Sequence, residues 1–145
     1  MEAIMNLIQG KHKEIISVIE SYRNCQVVVS NEEKQIYNVV STTGLTWKER
    51  SNKWGKIFIG EDRLRIDLDY PVNLFTEEEL RKFTQLPLKK DLLNKNTYSH
   101  INPTVGDTKH DVVRIILYED KLQQYDFTSS SFRAMLQKII NANVL

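Results

Sequence analysis

The stretch Arg63-Leu64-Arg65-Ile66-Asp67-Leu68-Asp69-Tyr70 decides the fold. Its apolar residues, Leu64, Ile66, Leu68 and Tyr70, alternate without a break with Arg63, Arg65, Asp67 and Asp69. A period of two with one apolar and one charged set belongs to an antiparallel sheet that buries one face and leaves the other in water. A strand of a parallel sheet, covered on both sides, would read as an unbroken apolar run. Pro71 closes the segment, because it brings no N–H to a ladder.

Upstream of this strand the same period recurs in shorter pieces. Gln26–Ser30 and Gln35–Ser41 are rich in valine, isoleucine and tyrosine, and Asn31-Glu32-Glu33-Lys34 between them reads as a hairpin loop. Ser30 with Glu33 also spells a helix capping box. The residues that follow, with Val39, Val40, Thr42, Thr43 and Gly44, are poor helix material, so the hairpin is the better reading. Leu45–Arg50 alternates as a further strand, Asn52–Gly55 breaks it, Lys56–Ile59 resumes, and Gly60-Glu61-Asp62 turns the chain into Arg63. Five short strands joined by turns make a meander rather than alternating strands and helices.

Helical periods flank this block. Ile4, Leu7, Ile8, Ile15, Val18, Ile19 and Tyr22 form one stripe, read as a single bent helix with Gly10 as its weak point. Thr76-Glu77-Glu78-Glu79 ahead of Leu80 is a capping box whose acidic first turn suits the positive end of a helix dipole. Pro87 ends that helix, and Leu88–Leu93 adds a turn. Residues 94–111, with Pro103, Gly106 and two histidines, lack periodicity and read as a long functional or partner-ordered loop. Val112–Tyr118 is an inner strand and Leu122–Phe127 an edge strand paired with it. Ser129–Asn143 closes as an amphipathic helix with Phe132, Met135, Leu136, Ile139 and Ile140 as its stripe. The expected fold is α+β: a mainly antiparallel sheet of five to seven strands with N-terminal, middle and C-terminal helices on one face.

Composition agrees with one folded domain over residues 1–145. Hydrophobic residues make up 41% and charged residues 27%, so disorder is excluded as the dominant state. Twenty basic against nineteen acidic side chains leave +1, too little for a global field that draws the chain to polyanions or membranes. Cys25, the single cysteine, allows no internal disulfide. With no secretory pattern and no apolar run of spanning length, the expectation is a soluble, cytoplasmic protein.

The motifs of nucleotide enzymes are missing. There is no Gly-x-x-x-x-Gly-Lys-Ser/Thr loop, no Gly-x-Gly-x-x-Gly and no Gly-x-Ser-x-Gly elbow, and the five glycines are scattered. No catalytic residue and no cofactor is assigned. What remains is a binding or interaction module for a phosphate-bearing molecule (a nucleotide or nucleic acid) or for a protein partner. Its candidate residues are Trp47, Lys48, Arg50, Lys53 and Trp54 in a basic, aromatic turn, with Arg63 and Arg65 from the adjoining strand. Guanidinium groups match phosphate oxygens in pairs, and an indole face can stack on a base.

Two other classes compete with this reading. A metal-dependent hydrolase or nuclease would use His100, His110 and Asp111 with Asp67 or Asp69 to activate water against a phosphodiester. Asp107 and His110 are close enough in sequence to meet unaided, although no metal-ligand spacing is present. An assembly subunit, a homo-oligomer, would use Ile4, Ile8, Phe132, Met135 and Ile140 of the terminal helices as an interface. Cys25 as a nucleophile would need a base and an electropositive, exposed setting, and its valine-rich surroundings suit an inert buried thiol instead.

Overall fold

The computed structural model describes residues 2–48, 50–93 and 97–145. Along the chain come α1 (Glu2–Glu20), β1 (Cys25–Asn31), β2 (Ile36–Ser41), β3 (Lys53–Ile59), β4 (Leu64–Pro71), α2 (Glu77–Thr84), β5 (His100–Thr104), β6 (His110–Leu117), α3 (Glu119–Leu122) and α4 (Ser130–Asn143). A single 3-10 turn, Lys89–Asp91, lies between α2 and β5. The six strands form one sheet in the order β1-β2-β3-β4-β6-β5, and every neighbouring pair is antiparallel. The fold is α+β, as the alternation in β4 requires.

Each strand of the central block sends every second side chain to the helices. In β4 these are Leu64, Ile66, Leu68 and Tyr70, all fully buried. In β6 they are Asp111, Val113, Ile115 and Leu117, each opposite its β4 counterpart. From the helices the core receives Ile8, Ile15, Val18 and Ile19 of α1, Leu80 of α2, and Phe132, Met135, Leu136 and Ile139 of α4. Burying side chains of this size stabilises by about 1.5–3 kcal/mol each relative to exposure. α1 runs unbroken through Gly10. The Thr76 hydroxyl accepts from Glu79 N–H while the Glu79 carboxylate accepts from Thr76 N–H, the reciprocal cap expected from the sequence. Gln85 ends α2 in the left-handed region (φ 58°), before Pro87 is reached.

Three expectations are corrected. Leu45–Arg50 forms no strand: Leu45 makes one isolated bridge to Val144, and Arg50 takes a positive φ of 63°. Its backbone partner is the end of α4, since Thr46 N–H donates to the Asn143 carbonyl at 2.7 Å. Leu122–Phe127 is no edge strand either. Its first residue ends α3, and Leu122, Tyr125 and Phe127 turn into the core. The true edge strand, β5, lies inside the span read as a loop over 94–111, and β6 begins at His110. Residues 94–96 of that span, like Met1 and Glu49, lie outside the described residues. β5 is short and carries Pro103, so it shows no alternation long enough to read.

One irregularity sets the positions of the candidate residues. The β2–β3 register runs Val39 opposite Gly55 and then Val40 opposite Lys53, so Trp54 is the extra residue of a β-bulge. Trp54 and Gly55 are consequently both buried, and the lysines on either side, Lys53 and Lys56, remain half-exposed. Gly55 is required by space. A Cβ there would lie 2.8 Å from the Asp67 carbonyl oxygen and 3.2 Å from the Val39 side chain.

A candidate anion-binding face on the open side of the sheet

Opposite the helices the sheet face is half-exposed at Lys56, Phe58, Arg65, Asp67, Arg114 and Ile116, and the Trp47 segment lies against its far end. Paired residues of antiparallel strands share a face, so the register assembles this surface directly. Lys56 stands opposite Asp67, Asp67 opposite Arg114, and Arg114 opposite Asn102. Phe58, Arg65 and Ile116 form the next row. Asp67 is the hinge of the arrangement. Arg65 donates to it through Nε at 3.2 Å and Nη2 at 2.8 Å, and Arg114 through Nε at 3.1 Å and Nη2 at 3.4 Å. The Arg65 guanidinium also lies over the Phe58 ring, 4.2 Å from its centroid. Two guanidinium groups on one carboxylate leave a positive surplus with its donors fixed in direction.

Beyond this clamp, towards the far end of β4, lie Lys53, Lys48 and Asp69. Burial, then the nearby Lys56 and Lys48, hold the Lys53 ammonium below the usual lysine range. Burial pushes the Asp69 carboxyl upward, opposed by Lys48 and His110. Among the described residues no carboxylate stands within salt-bridge distance of Lys48, Lys53 or Lys56. Among the described residues, five cations (Lys48, Lys53, Lys56, Arg65 and Arg114) thus share the face with the carboxylates of Asp67 and Asp69. Lys48 and Arg50 also line a shallow depression with Ser51 and Asn52 at the rim of this face.

The two tryptophans serve the fold. Trp54 is fully buried, so its indole offers no face to a ligand, and it leaves the candidate set. Trp47 is half-exposed but engaged on several sides. Its Nε1 donates to Asn143 Oδ1, its ring stacks on His110 with centroids 5.8 Å apart, and the Lys48 ammonium lies 5.7 Å from its centroid. Asn143 is buried, and its amide also donates to the Asp69 carbonyl at 2.8 Å and the Ile139 carbonyl at 3.0 Å. One side chain therefore fastens α4, β4 and the Trp47 segment together.

Arg63, two positions from Arg65, has its charge engaged elsewhere. It pairs with Asp62 at 2.8 Å and lies over the Tyr118 ring. Six residues of extended chain, about 20 Å, separate it from Asp69. Reading Val112–Tyr118 as an inner strand did not single out Arg114 as a site residue. Its mark was there: Val112, Arg114 and Ile116 are the alternate positions of a strand with one half-exposed face.

The residues of the metal reading do not converge. His110 and Asp111 are adjacent and face opposite sides of the sheet, His110 with Trp47 and Asp111 inward. Asp111 accepts from Asp107 N–H at 3.0 Å and Asn73 N–H at 3.3 Å, which ties two turns to the end of β6. His100 pairs opposite Ile116, six residues along β6 from His110, and its Nδ1 lies 2.7 Å from the Tyr98 carbonyl. Among the described residues no three His, Cys, Asp or Glu side chains gather as a metal ion requires. Cys25 is buried, its thiol pushed up to about 11 by that burial, so it carries no thiolate at neutral pH. Ile8, Phe132, Met135 and Ile140 are spent in the core, and Ile4 is half-buried against it. Among the described residues no helix is long and apolar enough to cross a membrane.

The chain matches no protein-family model, no curated protein and no solved structure.

Proposed function

We propose that the chain is a non-enzymatic binding module that takes a phosphate-bearing ligand, a nucleotide or a nucleic-acid strand, on the open face of its sheet. The observation that carries this reading is the crowding of Lys48, Lys53 and Lys56, with no bridging carboxylate among the described residues, beside two guanidinium groups held in direction by Asp67. Like charges kept together in a folded protein cost stability, and an anionic ligand would recover that cost. Lysines supply point charges and the arginines planar donor pairs, the two elements of phosphate recognition. Binding is carried by charge rather than by base stacking, because Trp47 is already occupied.

The test is a titration with ATP and with a fluorescent single-stranded oligonucleotide at several salt concentrations. Binding that weakens steeply with salt is expected. The double substitution Lys53→Glu with Lys56→Glu should weaken it at least about tenfold, on the order of 1.4 kcal/mol. Unchanged affinity in that folded variant, or no binding of either probe by the native chain, overturns the reading.

A further inference from the structure

The cations of the open face fall in a line along the strands. Successive residues on one face of a strand stand about 7 Å apart. At one end, near Asp69, are Lys48 and Lys53. The next row holds Lys56 and Arg114 on either side of Asp67, and the row after it holds Arg65 beside Phe58. From Asp69 to Arg65 the line runs about 13 Å along β4. It begins at the depression lined by Lys48, Arg50, Ser51 and Asn52. It stops before Arg63, where the charge changes sign: Glu61, Asp62, Glu119 and Asp120 line the depressions there. Each clamped guanidinium spends an Nε and an Nη2 hydrogen on Asp67. Its Nη1 pair and second Nη2 hydrogen stay available for a phosphate. The Arg65 guanidinium lies over Phe58 and His110 stacks on Trp47, so neither ring is free to stack on a base.

Resting on the anion-binding reading, we infer that this line follows the sugar-phosphate backbone of a single-stranded nucleic acid, about four nucleotides from the Lys48 rim to Arg65. The spacing selects this ligand among phosphate carriers. In an extended single strand a sugar separates successive phosphates by roughly the distance between rows, about 7 Å, so each row meets its own phosphate. In ATP only bridging oxygens separate the phosphates, and they reach neighbouring rows at most. A duplex curves its phosphates away from a flat face. An anionic membrane would meet the acidic end together with the basic one, whereas a strand ends where the sign changes. Because the backbone is held and the bases are not, binding is indifferent to sequence.

Fluorescence anisotropy with thymidine oligonucleotides of two to twelve residues, with ATP as competitor, tests it. Affinity should rise at least about tenfold from the dinucleotide to the tetranucleotide, as each added phosphate meets a cation, and only slowly beyond. For a hexanucleotide the logarithm of affinity should fall against that of salt with a slope of about −3, from four phosphates at about −0.7 each. Lys56→Gln and Arg65→Gln, each with an unchanged circular dichroism spectrum, should each shorten that slope by about 0.7. Adenosine oligonucleotides of equal length should bind alike. ATP that binds as tightly as the hexanucleotide, affinity flat with length, or a slope unchanged in both variants overturns this inference and leaves the anion-binding reading standing. A chain that sediments with phosphatidylserine vesicles and takes no oligonucleotide overturns it too. A chain that binds neither ATP nor any oligonucleotide overturns both.

Discussion

The two faces of one sheet, made by the same four central strands, hold the molecule together in different ways. On the covered face of β4 and β6 the rows are Leu64 with Leu117, Ile66 with Ile115, and Leu68 with Val113, all buried under α1 and α4. There stability comes from apolar area and dense packing. On the open face the rows are Arg65 with Ile116 and Asp67 with Arg114, half-exposed and joined by charge. Adjacent residues of one strand therefore obey different rules, because the sheet sends one to a region without water and the next into it. The lesson is that the covered face has no freedom to do anything except pack. The open face can keep charges that the fold does not fully compensate.

The largest expected effect separates the faces directly. Ile66→Ala should cost about 2–5 kcal/mol, as buried isoleucines do. Ile116→Ala, on the half-exposed side of the neighbouring strand, should cost under about 2 kcal/mol. Chemical denaturation of both variants checks the contrast, and equal losses would break it. Next comes Gly55, where the β2–β3 bulge turns Trp54 inward. Gly55→Val drives a side chain against the Asp67 carbonyl and Val39, at an expected cost of about 1–3 kcal/mol. The near-ultraviolet circular dichroism of Trp54 should change with it.

Asp67→Ala should cost no more than about 1 kcal/mol, because the two guanidinium groups that lose their shared acceptor are each partly exposed and turn to water. It should also tighten the binding of anionic probes, so stability and affinity move in opposite directions. A variant that loses both would show that Asp67 orients the arginines for the ligand.

The smallest effect is a slope with pH. His12 is buried under the sheet beside Tyr37, and burial lowers its imidazole from the ordinary 6.5. Below that ordinary value the unfolded chain binds a proton that the folded chain refuses. Stability is therefore full above pH 6.5 and falls as the pH drops towards the lowered folded value. Melting temperatures measured across this range should decline with acid in the native chain and flatten in His12→Leu. Parallel curves would mean that another group sets the slope.

Much of the covered face was legible before the fold was known. The stripe Ile8, Ile15, Val18, Ile19 and the alternation Leu64, Ile66, Leu68, Tyr70 name their buried residues correctly. His12, which fills the gap in the α1 stripe between Ile8 and Ile15, was not read as buried, because a histidine gives no apolar period. The open face was legible only in part. Lys48, Lys53 and Arg65 were found through local charge. Arg114 was not, because its meaning depends on pairing with Asp67, 47 positions earlier. Asn143 carried no signal, since an asparagine near a helix end is ordinary until three elements meet on it.

By itself the sequence determined the class of fold, the extents of β4 and α4, and the start of α2 with its reciprocal cap. Those features follow from side-chain period and local hydrogen bonding, which act over a few residues. Tertiary structure alone decided that the last edge strand is β5, that a bulge carries Trp54 into the core, and that Arg65 and Arg114 meet on Asp67. Each of these depends on which residues stand opposite one another across a sheet. Register is set by the whole packed domain, because a slip of one residue would move every apolar side chain of a strand to the wrong face.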